Sequence, residues 1–339
     1  MIAALAAIPV VRGLDAWTAW RWFGFTPDGA RAVLGGLSSS MLTFVVFAVS
    51  ALLLAVQLAS GQLTPRIIVL TFSAPTVKIS VAIFVFAYTF ALGALGRVET
   101  THVPQLLVGL AVIANLVSIG LFFWFVQRVA MSLRPVFIFE WLSEAGRRVL
   151  DDVYPDSLDP ANPGRPPVGD ALPSVPARTI QHAGRSGTLV AFGARELAEA
   201  AAKADCTIEL VPQVGDFVSH GDALFRIRPI GAPVDPDSLR QSVAFGQGRT
   251  LEQDPAFAFR IMIDIASRAL SPAINDPTTA VLALDQIQRL LRHAGQKQLG
   301  EDRVLDRHGT LRIVFRTPAW KDLVTLAVTE IRLFGAGSI

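Results

Sequence analysis

The sequence predicts a membrane α-helical protein, three full spanning helices plus a truncated first one, joined to a cytoplasmic α+β domain. Three observations carry that reading. Of 339 residues, 52% are hydrophobic and 17% charged, where soluble domains carry roughly a quarter charged residues. The deficit lies before residue 134, and charge is ordinary from Arg134 onward. From Thr179 the pattern turns to short strands separated by glycine-aspartate turns. A net charge of +2 and the lack of a basic, aromatic-interleaved face argue against nucleic acid. The single cysteine, Cys206, excludes an intrachain disulfide. It sits in the strand-like run C-T-I-E-L-V and reads as a core residue of a reducing compartment.

Residues 1–133 form the transmembrane domain. Met1–Val11 is apolar but about half the roughly 20 residues that span a bilayer. Arg12 and Asp15 stop it, so it reads as the tail of a spanning helix whose beginning is missing from this chain. Trp17, Trp20, Trp22, Phe23 and Phe25, with Arg12, Arg21 and Arg31, suit a membrane–water interface. Three spans follow: Val33–Ser60, Val77–Gly96 with Lys78 at its edge, and Pro104–Val126. Arg66 lies between the first two, and Arg128, Arg134, Arg147 and Arg148 follow the last. The positive-inside rule puts that loop and the soluble half in the cytoplasm, although Arg12, Arg21 and Arg31 then fall on the far side.

Polar residues recur along these spans. Thr43, Ser50 and Gln57 are seven apart and Ser39 precedes Thr43 by four, so all four share one helix face. Asn115 and Ser118 form a shorter pair on the last span. They line a pore or substrate path, or they pack helices. The second is the commoner use of such side chains and the preferred reading. No Asp, Glu, Lys or Arg lies deep in the three spans, which argues against a pump built on intramembrane carboxylates.

Residues 134–178 read as an amphipathic helix, Phe137–Leu150, followed by a Pro-rich connector. Residues 179–232 form a small β module with an inserted helix, Glu196–Ala204. Its run Val214–Ile227, V-G-D-F-V-S-H-G-D-A-L-F-R-I, resembles the hairpin of biotinyl/lipoyl-like barrel-sandwich domains, so the module is expected to be barrel-sandwich-like. No Lys stands at the turn where lipoate or biotin is attached, so no cofactor is expected. His220 has no Cys or second His at ligand spacing, so no metal is expected either.

Residues 233–339 form a helical signature region with a strand, Gly309–Arg316, and a C-terminal helix, Ala319–Phe334. Two helices begin with Asp-Pro, at Asp254-Pro255 and Asp276-Pro277, an N-cap acceptor followed by a residue that needs no donor. Pro272 ends the first. The loop between them gathers Asn275, Asp276, Pro277, Thr278 and Thr279 at one helix start. An anion site is one reading. A self-capped loop is the preferred one, because the Asp276 carboxylate already occupies the helix N-terminus.

The stretches Ala55–Arg66 (A-V-Q-L-A-S-G-Q-L-T-P-R), Val214–Val218 (V-G-D-F-V), Gln253–Phe257 (Q-D-P-A-F) and Ala269–Ala280 (A-L-S-P-A-I-N-D-P-T-T-A) together resemble the bacterial membrane-protein family named domain of unknown function 2254. The resemblance implies this architecture and location, with longer members that have a complete first span and further C-terminal helices. Members tend to carry a His-containing run where this chain has Trp124, Gln127 and Arg128. The family name implies no activity. The leading expectation is an oligomeric inner-membrane channel or transport-related protein with a cytoplasmic assembly or gating domain. A membrane-anchored scaffold or sensor, binding a partner or small ligand, is the alternative. No catalytic residues are identified and an enzyme is not expected, since no Ser-His-Asp, Walker, HExxH or Rossmann arrangement is present. The expected partners are the lipid bilayer and further copies of the chain, with any ion or small-molecule ligand unidentified.

Overall fold

Apolar length sets the first half of the computed structural model, which describes residues 1–18, 24–62, 75–100, 103–132, 134–158, 176–300 and 303–336. Helix α1 spans Ile2–Thr18, α2 Pro27–Gln62, α3 Pro75–Leu95 and α4 Gln105–Ser132. Three of them, over Pro27–Gln57, Val77–Leu95 and Gln105–Met131, are long and apolar enough to cross a membrane. Trp20–Phe23, the Pro65-Arg66 loop and most of the Pro-rich connector lie outside the described residues.

Helix α1 continues past Arg12 and Asp15, where its apolar run stops. Both side chains find partners distant in sequence. Arg12 pairs with Glu99 at 3.3 Å, and the buried Asp15 carboxylate accepts from the Leu106 amide at 2.7 Å, in the first turn of α4. Gln105 meets the Phe25 backbone twice, at 2.9 and 2.7 Å. Along α1, Ala4 and Ile8 are buried with Phe90, Ala91 and Leu107. Gly93 permits that approach, because a Cβ there would stand 2.2 Å from the Ile8 Cδ1.

Helix α2 buries Ala30, Leu34, Ser38, Met41, Ala48 and Ala55, four of them at seven-residue intervals. Its Phe44 packs with Phe84 of α3 and Phe122 of α4, with ring centroids 4.3 to 6.4 Å apart. These residues and those of α1 belong to one compact unit, Met1–Phe137.

The second unit is Ile138–Ile339. Helix α5, Pro135–Val153, enters it and buries Ile138, Phe139, Leu142, Val149 and Leu150. Strands β1 Arg178–Gln181, β2 Gly187–Phe192, β3 Thr207–Leu210, β4 Phe217–Val218, β5 Ala223–Arg228, β6 Val243–Gly246, β7 Arg303–Leu305 and β8 Leu311–Val314 build two sheets. Their orders are β1-β5-β3-β8-β7 and β4-β2-β6. Helices α6 Ala194–Lys203 and α7 Pro236–Gln241 accompany them. Leu189, Leu197, Ile208, Phe225 and Ile313 are fully buried in a common core. Cys206 is buried there too, and burial pushes its thiol up, as a core residue requires.

Two features differ from a self-contained module over 179–232. The glycine-aspartate run does not pair its own strands, because β4 joins β2 while β5 joins β1 and β3. Strand β8 pairs parallel with β3, placing Ile208 opposite Ile313, so a strand about a hundred residues downstream completes the larger sheet. Parallel pairing needs a long crossover, here supplied by the helices between them.

Those helices are α8 Pro255–Ala269 and α9 Pro277–Ala294, with α10 Trp320–Gly335 after the sheet. The sequence gives α8 one apolar face and one charged stripe. In the fold α8 is covered nearly all round, with Phe257, Phe259, Ile261, Met262, Ile263 and Ile265 all buried. Arg260 of its stripe ties α8 to α10 by pairing with both Asp264, at 2.9 Å, and Glu330.

Candidate functional site

The polar stripe of α2 lies on the helix face that the described residues of the chain leave uncovered. Ser39, Thr43, Ser50 and Gln57 are all exposed. Thr43, Ser50 and Gln57 each stand two positions beyond buried Met41, Ala48 and Ala55. Two residues turn a helix by about 200°, so the stripe points away from the packed face. Exposed Val46 and Leu53 fall between the polar residues, giving the series 39, 43, 46, 50, 53, 57. Its alternating steps of four and three are those of a helix-pairing heptad. Within it, Thr43 donates to the Ser39 carbonyl at 3.2 Å.

Asn115 and Ser118 have the opposite placement. Both are buried, and both donate back into their own helix, Asn115 to the Ala111 carbonyl and Ser118 to the Ala114 carbonyl, each at 2.8 Å. They do not meet the α2 stripe on one surface. Ser38, next to the stripe in sequence but off its face, is buried, and its hydroxyl has no partner among the described residues.

The loop between α8 and α9 explains its own polar residues. Asn275 has φ +48 and is exposed, and its amide closes a turn onto the Ser271 carbonyl at 2.8 Å. Asparagine tolerates this left-handed backbone better than most residues. Asp276 accepts from the Thr279 amide at 3.1 Å and from its hydroxyl at 2.6 Å. The hydroxyl bond above all holds the Asp276 carboxyl below the usual carboxylate range. Pro277 is the first helical residue, and it and Thr278 are exposed.

Two of the short stretches singled out in the sequence meet at a joint that spacing alone does not show. Asp254 caps α8 by accepting from the Phe257 amide at 3.1 Å. Its buried carboxylate also takes two bonds from Arg249, at 2.7 and 2.9 Å. Burial pushes the carboxyl up and Arg249 offsets part of that push. The Arg249 guanidinium lies 5.2 Å over the Phe257 ring. Gly215, at φ +97, passes directly beside the pair, where a Cβ would stand 2.6 Å from Asp254 Oδ2. Gln253 then grips the end of β2, accepting from the Phe192 amide at 3.0 Å and donating to its carbonyl at 3.2 Å. A cavity of about 420 Å³ adjoins this joint, walled by Val153, Phe192, Val214 and Phe315 with Asp254 and Arg316.

A larger, polar cleft of about 650 Å³ lies between α5 and α9. At one end of it, Asp151 accepts from Lys297 at 2.7 Å, His293 at 2.8 Å and Arg147 at 2.9 Å. The Lys297 bond chiefly holds the Asp151 carboxyl below its ordinary range. His220, in contrast, is exposed and turned onto the Gly184 carbonyl at 3.2 Å. Among the described residues no group of three His, Cys, Asp or Glu is placed to hold a metal ion.

Three helices of membrane-spanning length followed by a unit of helices and β-sheet are the architecture of a multi-span membrane protein with a second, mixed α and β unit. The chain belongs to the family described as "Predicted membrane protein (DUF2254)", whose model matches residues 1–339. Uncharacterized proteins of Mycobacterium bovis and of Mycobacterium tuberculosis strain H37Rv are each 30% identical to it over 352 residues, covering 98% of this chain. The chain spans 65% of the length of these relatives. No solved structure matches it.

Proposed function

We propose that this protein is an oligomeric inner-membrane channel or transport-related protein in which α2 helices of several copies face a shared axis. Its second unit is then a cytoplasmic assembly or gating domain, as the arginines after the last span favour, and it has no catalytic activity of its own. One observation carries the reading. Ser39, Thr43, Ser50 and Gln57 lie on the uncovered face of α2, at heptad spacing with Val46 and Leu53. Hydroxyls and amides facing hydrocarbon gain nothing there, whereas against a second helix or a hydrated path they find partners.

Cross-linking tests the assembly. Cys206 is buried, so a cysteine introduced on α2 reports cleanly. Ser50→Cys is expected to form covalent dimers on mild oxidation in membranes, and Ala48→Cys on the packed face is not. Ion flux in proteoliposomes tests the path. Ser50→Leu with Gln57→Leu should lower flux at least tenfold. Cross-linked dimers with unchanged flux would refute the channel and leave the alternative, a membrane-anchored scaffold or sensor, which the two cavities of the second unit favour.

A further inference from the structure

The cleft between α5 and α9 has a built-in polarity. Gly146 lies against Leu290, since a Cβ there would stand 2.9 Å from the Leu290 Cδ2. Further along, Asp151 meets His293 and Lys297. The two helices therefore run in the same direction, with Gly146 facing Leu290 and Asp151 facing His293, offsets of 144 and 142. Along the cleft, Glu140 and Asp285 thus come first, Glu144 and Arg289 in the middle, and Arg147 and Arg292 last. All six line the cleft. At about 1.5 Å per residue, Arg289 and Arg292 stand four and seven residues beyond Asp285, about 6 and 10 Å along α9.

The charges differ in how far they are already used. Glu144 is engaged by Arg147 at 2.8 Å, and Arg147 also by Asp151. Among the described residues, Glu140, Asp285, Arg289 and Arg292 make no ion pair, and all four are exposed. Two acids and two guanidinium groups outside any ion pair among the described residues thus face one space of about 650 Å³, a volume in the range of small-molecule sites.

We propose that this cleft binds a small hydrophilic zwitterion. Its ammonium group sits between Glu140 and Asp285, and its carboxylate or phosphate is held by Arg289 and Arg292. The separation of the rows favours a ligand whose charges are several bonds apart, such as a short peptide or an ω-amino acid, over an α-amino acid. Acids early and bases late in α9 also complement the helix dipole, so the test must separate binding from mere helix stabilisation.

Calorimetric titration of the full chain in detergent serves, with glycine, 6-aminohexanoate, dialanine and 2-aminoethyl phosphate as probes, and acetate and ethanolamine as singly charged controls. At least one long zwitterion should bind saturably, ten times or more tighter than glycine and than either control. Glu140→Gln and Arg292→Gln should each weaken it at least tenfold while the unfolding midpoint stays within a few degrees. The same titration in nanodiscs with and without phosphatidylethanolamine fixes the source. Competition by that lipid assigns the ligand to its headgroup, and its absence assigns a free solute. No saturable binding by any zwitterion, equal binding of the controls, or affinity unchanged in both variants would overturn the proposal.

Discussion

Replacing Asp254 by alanine removes two interactions at once, and the structure sets the size of each. Loss of the N-cap acceptor of α8 costs about 1 kcal/mol. Breaking a buried ion pair by removing one partner costs about 3–5 kcal/mol. The group left behind is Arg249, whose side chain is 32% exposed, so water recovers part of that loss and the low end applies. The expected sum is about 4 kcal/mol, close to three decades in an opening equilibrium. Hydrogen exchange of the full chain in detergent reads it directly, because it reports each element separately. Amides of α8 should lose about a thousandfold protection, while those of α2, α3 and α4 in the other unit stay unchanged. A change below tenfold in α8, or an equal change in the spans, would refute the reasoning. Arg249→Met provides the sign test. It strands a carboxylate that is 3% exposed and raises the folded-state pKa of Asp254 further. A carboxyl raised on folding contributes stability below its unfolded pKa, near 4, and loses it as pH rises through the folded value. Arg249→Met should therefore be more damaging than Asp254→Ala at pH 7, and the gap should close toward pH 4.

Two further outcomes follow from local geometry. Asn275→Val places a β-branched residue at φ +48 and should cost about 1–3 kcal/mol, whereas Asn275→Gly should be neutral or stabilising. Equal unfolding midpoints for the two variants would remove the backbone explanation of that asparagine. Asp306 accepts from the amides of Thr310 and His308 and from Arg312. These bonds, the Thr310 amide foremost, hold its carboxyl down at about 2. A carboxyl lowered on folding stabilises above its unfolded pKa near 4, and that contribution is lost as pH falls through about 2. Asp306→Asn should flatten the stability loss between those limits in an acid titration followed by circular dichroism, and an unchanged acid limb would count against it.

The parts legible in the sequence are those whose cause is local. A helix that crosses hydrocarbon needs a long apolar run, so α2, α3 and α4 announce themselves by composition. Asp254-Pro255 and Asp276-Pro277 announce helix starts because a cap acts within three residues. The 39–43–50–57 stripe was readable because helical geometry alone puts those positions on one face. That this face is the uncovered one was not readable, since it depends on which side of α2 meets Phe84 and Phe122. The same holds for α1, which runs on through Arg12 and Asp15 because Glu99 and Leu106 supply partners some ninety residues away. Strand β8 pairs with β3 across about a hundred residues, and no local pattern specifies that choice. The Arg249–Asp254–Gly215 joint and the charged rows facing each other across α5 and α9 belong to the same class. Each exists only once separate segments are packed together, and burial then gives an ordinary cap or arginine a partner that sequence spacing does not encode.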